Sequence, residues 1–309
     1  MNSTRRLLSI LILLISLMAL YYTIHNYDEV TTFINKIVRK YSKNTVIVPE
    51  ESYNHRVYLY KTVSETDTFE PHNIDEIKKI YYTVLNNGWN TFTFYCPYEY
   101  ESCVDDVKMV ANSTNDSYIS LINNYVSPLN SYKRYNTMIV DDNKVVLTIE
   151  RLYTDDEIKR INEYLDNYFK SNSFNTTKAT KKDIEKIHDY LLNKITYDVN
   201  YEKTDEITES NKATGALFNG VALCSGYSDA FGLFLDRINV PNFKINSEEH
   251  EWTMVYYNNE WSHIDLTWDD DEVFKNNNRN FFMINTSDLL SKDKEEHNFD
   301  DNTYLEIKK

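Results

Sequence analysis

The last third of the chain holds residue types that can make a nucleophilic site. Cys224 stands in LCSGYSDAFGLFLDRI, and His250, His263 and Asp265 fall in HEWTMVYYNNEWSHIDLTWD. A thiolate attacks carbonyl carbon, an imidazole moves the proton, and a carboxylate orients the imidazole and balances its charge. After Cys224, the apolar residues Tyr227, Phe231, Phe234, Leu235 and Ile238 recur at helical spacing, so a helix begins near Cys224 and packs inward. The aligned peptides place about half a positive charge at that terminus, which favours the thiolate over the thiol. The competing reading of a lone cysteine is a small buried hydrophobe.

The two stretches 250–257 and 260–268 alternate like strands, and Asn258-Asn259 suits a two-residue turn. That turn pairs Tyr257 with Glu260, Trp252 with Asp265 and His250 with Thr267. His250 and Asp265 then share a face as diagonal neighbours, about 7–8 Å apart at the backbone. A one-residue slip would separate them. His263 lies on the same face, and the hairpin leaves it open as a rival base. The glutamates Glu248, Glu249 and Glu251 beside His250 favour its charged form. His188 reads as part of its helix, and Asp269, Asp270 and Asp271 read as solvated loop charges beyond the strand.

These elements sit in a longer design. Arg5 and Arg6 precede LLSILILLISLMALYYTI, an uncharged stretch long enough to span a bilayer, with Tyr21 and Tyr22 at interfacial depth. No small-x-small cleavage site and no lipid-accepting cysteine follow, so an uncleaved anchor is favoured over a cleaved secretion signal. Arg5 and Arg6 favour a cytoplasmic amino terminus, and Lys36, Arg39, Lys40 and Lys43 compete; the signal-like order favours export of the bulk.

The expected organisation is an anchor over 1–27, a spacer over 28–50, an α+β accessory domain over 51–170, a polar linker over 171–182 and a catalytic domain over 183–309. The spacer carries a short amphipathic helix. In the accessory domain, strands are expected at 57–63 and 91–95, and helices at 74–85, Tyr118–Tyr125 and 155–169. A hairpin turns at Asp141-Asp142-Asn143. In the catalytic domain a helix runs over 183–193, and 203–212 is a loop.

The net charge of −15 argues against nucleic acid, whose phosphates call for lysine and arginine. Three cysteines, with no Cys-x-x-Cys pair, exclude a disulfide scaffold and a structural zinc site of that kind. Cys96 and Cys103 can bridge in an oxidising compartment, which leaves Cys224 as the odd thiol.

The runs GALFNGVALCSGYSDAFGLFLDRINVP, HEWTMVYYNNEWSHIDLTWDDD and RNFFMINTSDLLS together resemble the transglutaminase-like superfamily of papain-type folds. More narrowly, they resemble the bacterial relatives of its kyphoscoliosis-type and cytokinesis-associated members. The similarity covers roughly residues 183–300. It implies an α+β core, with a nucleophile helix packed on an antiparallel sheet, and it selects Cys224 as nucleophile, His250 rather than His263 as base, and Asp265 as orienter. Thr253 stands where many relatives have asparagine after His-x-Trp. The resemblance implies an enzyme that cleaves or transfers amide bonds of protein or cell-wall peptide through a Cys224 thioester, with hydrolysis as the leading reaction, and the apolar amino terminus makes it a membrane-anchored one. A crosslinking acyltransferase and a non-catalytic binding module of the same fold are the alternatives. No calcium-loop motif is present, so no metal and no cofactor are expected.

Overall fold

The computed structural model describes every residue except 1, 42–43, 113–117, 177, 203–205, 271–278 and 308–309. Lys43 of the spacer, residue 177 of the linker, part of the loop 203–212 and Asp271 therefore lie outside the described residues.

Two helices lead the chain, α1 (Asn2–His25) and α2 (Tyr27–Tyr41). Within α1, the 18-residue window Leu8–His25 is apolar enough to cross a membrane, and none of it is buried against the protein. At 1.5 Å per residue that window spans about 27 Å, close to the hydrocarbon thickness of a bilayer.

The accessory region contains α3 (Ile74–Asn86), β1 (Thr91–Tyr95), α4 (Cys103–Val110), α5 (Tyr118–Tyr125), β2 (Tyr132–Val140) and β3 (Lys144–Arg151). Asn73 caps α3 by accepting from the Glu76 N–H at 3.0 Å. The strands form an antiparallel sheet in the order β1-β3-β2. Asp141 and Asp142 both take positive φ, 51° and 63°, in the β2–β3 turn. Short acidic and amide side chains tolerate that region best. A disulfide joins Cys96 to Cys103, with Cα atoms 5.6 Å apart.

Residues 57–63 form no strand, contrary to the sequence expectation. Their alternation is real: Val57 and Leu59 point to solvent, and Arg56 and Tyr60 point inward. The backbone nevertheless pairs with side chains, Arg56 O accepting from Asn86 Nδ2 at 2.8 Å and the Lys61 and Thr62 N–H groups donating to Glu306.

The remainder comprises α6 (Asp155–Ser171), α7 (Lys181–Lys194), the short parallel pair β4 (Thr196–Tyr197) and β5 (Val221–Ala222), α8 (Cys224–Arg237), β6 (Asn242–Asn246), β7 (Glu251–Tyr257), β8 (Glu260–Ile264), α9 (Leu266–Asp269), β9 (Phe282–Ile284) and α10 (Thr286–Lys292). Capping boxes at Thr154/Glu157 and Thr180/Asp183 start α6 and α7. The chain is thus α+β, with α8 packed on an antiparallel sheet ordered β6-β7-β8-β9.

That sheet is shared between two cores. On one side Val255 and Ile264 meet Tyr227, Phe231, Phe234 and Leu235 of α8, with α6 and α7 behind. On the other side Phe243, Ile245, Trp252 and Met254 join Tyr60, Tyr125 and the accessory sheet in a single apolar cluster. The carboxyl-terminal residues cross this second side, where Tyr304 is buried and Glu306 accepts from Tyr125 Oη at 2.8 Å. Among the described residues, every buried hydrophobic side chain lies at or beyond Tyr60. A chain lacking residues 1–27 is therefore predicted to stay folded and leave the membrane fraction. Circular dichroism and membrane sedimentation check this, and a truncated chain that still sediments with membranes would reveal a second anchor.

Candidate active site

Cys224 is the first residue of α8, half-buried and outside any disulfide. Its approach is fixed on both sides. The Leu223 N–H donates to Ser210 O at 2.7 Å, and β5 runs beside β4, with Ala222 opposite Tyr197. Gly226 allows this close start: a Cβ there would stand 2.6 Å from Ser210 O. The first N–H inside the helix to find a helical partner is that of Tyr227, which donates to Leu223 O at 3.0 Å. The N–H groups of the preceding turn lack intrahelical acceptors by construction and point out of the helix end beside the thiol.

The hairpin keeps the expected register from Tyr257↔Glu260 to Thr253↔Ile264. Asn258 and Asn259 both adopt positive φ, 53° and 66°, as a two-residue turn between twisted strands requires. The strand then stops one residue before Asp265, so the expected strand over 260–268 and the pairing of His250 with Thr267 are both corrected. Asp265 is the N-cap of α9: its Oδ1 accepts from the Trp268 N–H at 3.1 Å. His250 likewise precedes β7, held where Ser247 N–H donates to His250 O at 2.9 Å.

These two strand ends bring His250 Nε2 to 2.6 Å from Asp265 Oδ2. With Nε2 so engaged, Nδ1 is the nitrogen left for Cys224, which lies near enough to favour the charged imidazole. The His250 ring stacks on Trp252 at 5.6 Å. Burial works against charge on His250, but the Asp265 carboxylate first, and then Cys224, outweigh it and push the imidazole up to about 10. Burial alone would raise Asp265, yet the charge and hydrogen bonds of His250 and His297 hold it down at about 2. The two shifts agree in describing an imidazolium–carboxylate pair. Of the flanking glutamates, Glu251 turns to the buried Lys244, which also bonds Asp229 at 2.8 Å and so ties β6 to α8.

His263 stands apart. It pairs with Met254, on the sheet face away from α8. Its Nδ1 accepts from Trp252 Nε1 at 2.9 Å, and burial depresses it to about 3, so the ring is neutral.

Sequence reasoning missed His297. It is fully buried, with Nε2 2.9 Å from Asp265 Oδ2 and Nδ1 2.8 Å from Asp293 Oδ2. No periodicity links residue 297 to 265; only the i, i+4 spacing to Asp293 on the sequence hints at a pair. Atoms of His250, Asp265 and His297 lie within 4.8 Å of one another, the arrangement of a possible metal triad. However, ligands at 2.0–2.2 Å from a tetrahedral ion stand about 3.3 Å apart. The 2.6 Å separation of His250 and Asp265 fits a hydrogen bond instead.

The expectation for the acidic run also needs correction. Asp269 is 6% exposed, not solvated. It accepts from the Phe281 N–H at 2.9 Å and faces His188 Nε2 at 3.0 Å. Asp270 accepts from Tyr227 Oη. His188 is wholly buried and bridges Asp269 and Asp189, and it does more than fill its helix face. Burial opposes its charge, but those two carboxylates raise its pKa on balance. The pair fixes α9, and with it the Asp265 cap, against α7.

No protein-family model matches the sequence, and no curated protein does. Among solved structures, a transglutaminase shares 14% identity at a TM-score of 0.32 over 44% of this chain and 44% of its own. A provisionally assigned cysteine protease from Cytophaga hutchinsonii shares 10% identity at a TM-score of 0.26, over 43% of this chain and 61% of its own. The chain thus matches less than two thirds of either. At these identities and scores the two likenesses bear on neither activity nor substrate.

Removing one partner of a buried pair is strongly destabilising, by about 3–5 kcal/mol. Asp269→Ala strands both His188 and the Phe281 N–H, and is predicted to cost that much in chemical denaturation. A variant as stable as the wild type would return Asp269 to the solvated role first expected of it.

Proposed function

We propose that this chain is a membrane-anchored cysteine amidohydrolase of transglutaminase-like type, acting on protein or cell-wall peptide. The observation that carries the reading is the 2.6 Å His250–Asp265 pair beside a cysteine at the start of a helix.

The chemistry follows from the atoms. Cys224 Sγ, as thiolate, attacks the carbonyl carbon of an amide. The negative oxygen that forms is met by the Cys224 N–H at the helix terminus. His250, already imidazolium, gives its proton to the departing nitrogen, and the amine leaves a thioester on Sγ. His250, now neutral, takes a proton from water as the oxygen attacks the thioester. The acid departs and the thiolate and imidazolium are restored. Asp265 keeps hydrogen on Nε2 throughout, so the nitrogen facing Cys224 is the one that gives and receives. An amine taking the place of water would produce a crosslink by the same route.

The Cys96–Cys103 disulfide supports placing the bulk of the chain outside the membrane, because such bonds persist in oxidising compartments. With the apolar α1 it favours an exported, anchored enzyme.

Iodoacetamide is predicted to alkylate Cys224 far faster than it does free cysteine near neutral pH. His250→Ala slows the reaction, and Asp265→Asn depresses peptide turnover by up to about ten-thousand-fold if the site depends on its acid as serine triads do. Candidate peptides incubated with and without an amine acceptor separate hydrolysis from crosslinking by product mass. Equal alkylation of wild type and His250→Ala would remove His250 from the site.

A further inference from the structure

Among the buried groups that this chemistry leaves unused, His297 touches the site directly. His297 occupies an aromatic cage, with ring centroids of Trp252, Trp268 and Phe281 at 4.8, 5.4 and 5.5 Å. A phenyl ring would fill that space without desolvating two polar atoms, so the imidazole needs another explanation. Both of its nitrogens face carboxylate oxygens, of Asp265 and Asp293.

We infer that His297, held by Asp293, is a positioning residue of the active site that clamps the Asp265 carboxylate in the orientation that receives His250. This rests on the reading of Cys224, His250 and Asp265 given above. Asp265 is gripped at three points. The Trp268 N–H fixes Oδ1, and His250 and His297 converge on Oδ2. Among the described residues, the carboxylate without His297 keeps the Trp268 N–H alone to oppose rotation away from His250.

The clamp also reaches beyond the site. Asp293 ends α10 and accepts the Glu296 N–H at 3.0 Å, which sets the turn that delivers His297. Further along the same tail, Tyr304 Oη accepts from Asn124 Nδ2 at 2.9 Å, and Glu306 accepts from Tyr125 Oη. The accessory region therefore grips the segment that grips Asp265. That gives residues 51–170 a physical route to the site.

The test uses the full chain in detergent micelles and reads the iodoacetamide alkylation rate of Cys224 together with the thermal melt. Loss of one donor to a buried charge should slow His297→Phe by about tenfold to a hundredfold with the fold retained. His297→Gln, whose amide still donates once to Asp265, should recover part of that loss. His263→Phe is the comparator, since His263 is equally buried and bonded to Trp252 and Thr286 without touching Asp265; it should stay near the wild-type rate. The inference is overturned if His297→Phe reacts like wild type, if Gln restores nothing relative to Phe, or if His263→Phe slows the reaction equally. Should His297→Phe fail to fold, Asp293→Ala decides the matter. Asp293 is only partly buried, and its loss should slow alkylation several-fold, whereas an unchanged rate overturns the clamp. A wild-type Cys224 no faster than free cysteine would instead overturn the reading of the site on which the clamp rests.

Discussion

The buried pair between His250 and Asp265 is the constraint around which the rest of the molecule is arranged. A carboxylate 1% exposed is tolerable only when its oxygens are fully engaged. Asp265 meets that condition by drawing on three separate segments: the start of β7 for His250, the first turn of α9 for the Trp268 N–H, and the carboxyl-terminal tail for His297. Each segment must be held independently, because a loss at any one leaves charge stranded in a low dielectric, at a cost of about 3–5 kcal/mol.

The scaffold holds them with further buried pairs at the sheet edges. Arg56 binds Asp236 at the end of α8 and reaches the Tyr125 and Asn242 carbonyls. Lys244 binds Asp229 in the middle of α8, where Tyr153 Oη adds a 2.6 Å bond. The Arg56 and Tyr153 contacts cross from residues 51–170 to the cysteine helix, Lys244 ties β6 to it, and the apolar cluster on the outer sheet face crosses in the same sense. The cysteine helix is therefore fixed from both sides of the sheet, while its first turn stays open at Cys224.

Much of this was legible as periodicity. The apolar stripe of α8, the alternating strands and the Asn258-Asn259 turn all follow from local spacing, and the register they imply from Tyr257 to Thr253 is present. What local spacing does not carry was missed. A four-residue helix such as α9 is too short to leave a stripe, so Asp265 read as a strand residue when it is a cap. The acidic run around Asp269 looked like solvated loop because its partner, His188, stands 81 positions away. His297 is 32 positions from Asp265, and nothing in the intervening sequence repeats. Residues 57–63 erred in the opposite direction: their alternation is the mark of one buried face, not of a ladder, and the side chains of Asn86 and Glu306 stand where a neighbouring strand would be.

The central claim is that His250 is an imidazolium held by Asp265 beside Cys224, and an NMR titration of its ring tests that most directly. A histidine whose folded pKa is raised keeps its proton above the ordinary value near 6.5 and releases it only as pH climbs through the raised value. The ring nitrogens should therefore stay doubly protonated through neutral pH and titrate near 10, and Asp265→Asn should bring the midpoint down. A His250 that titrates near 6.5 in the wild type, unmoved by Asp265→Asn, would contradict the account.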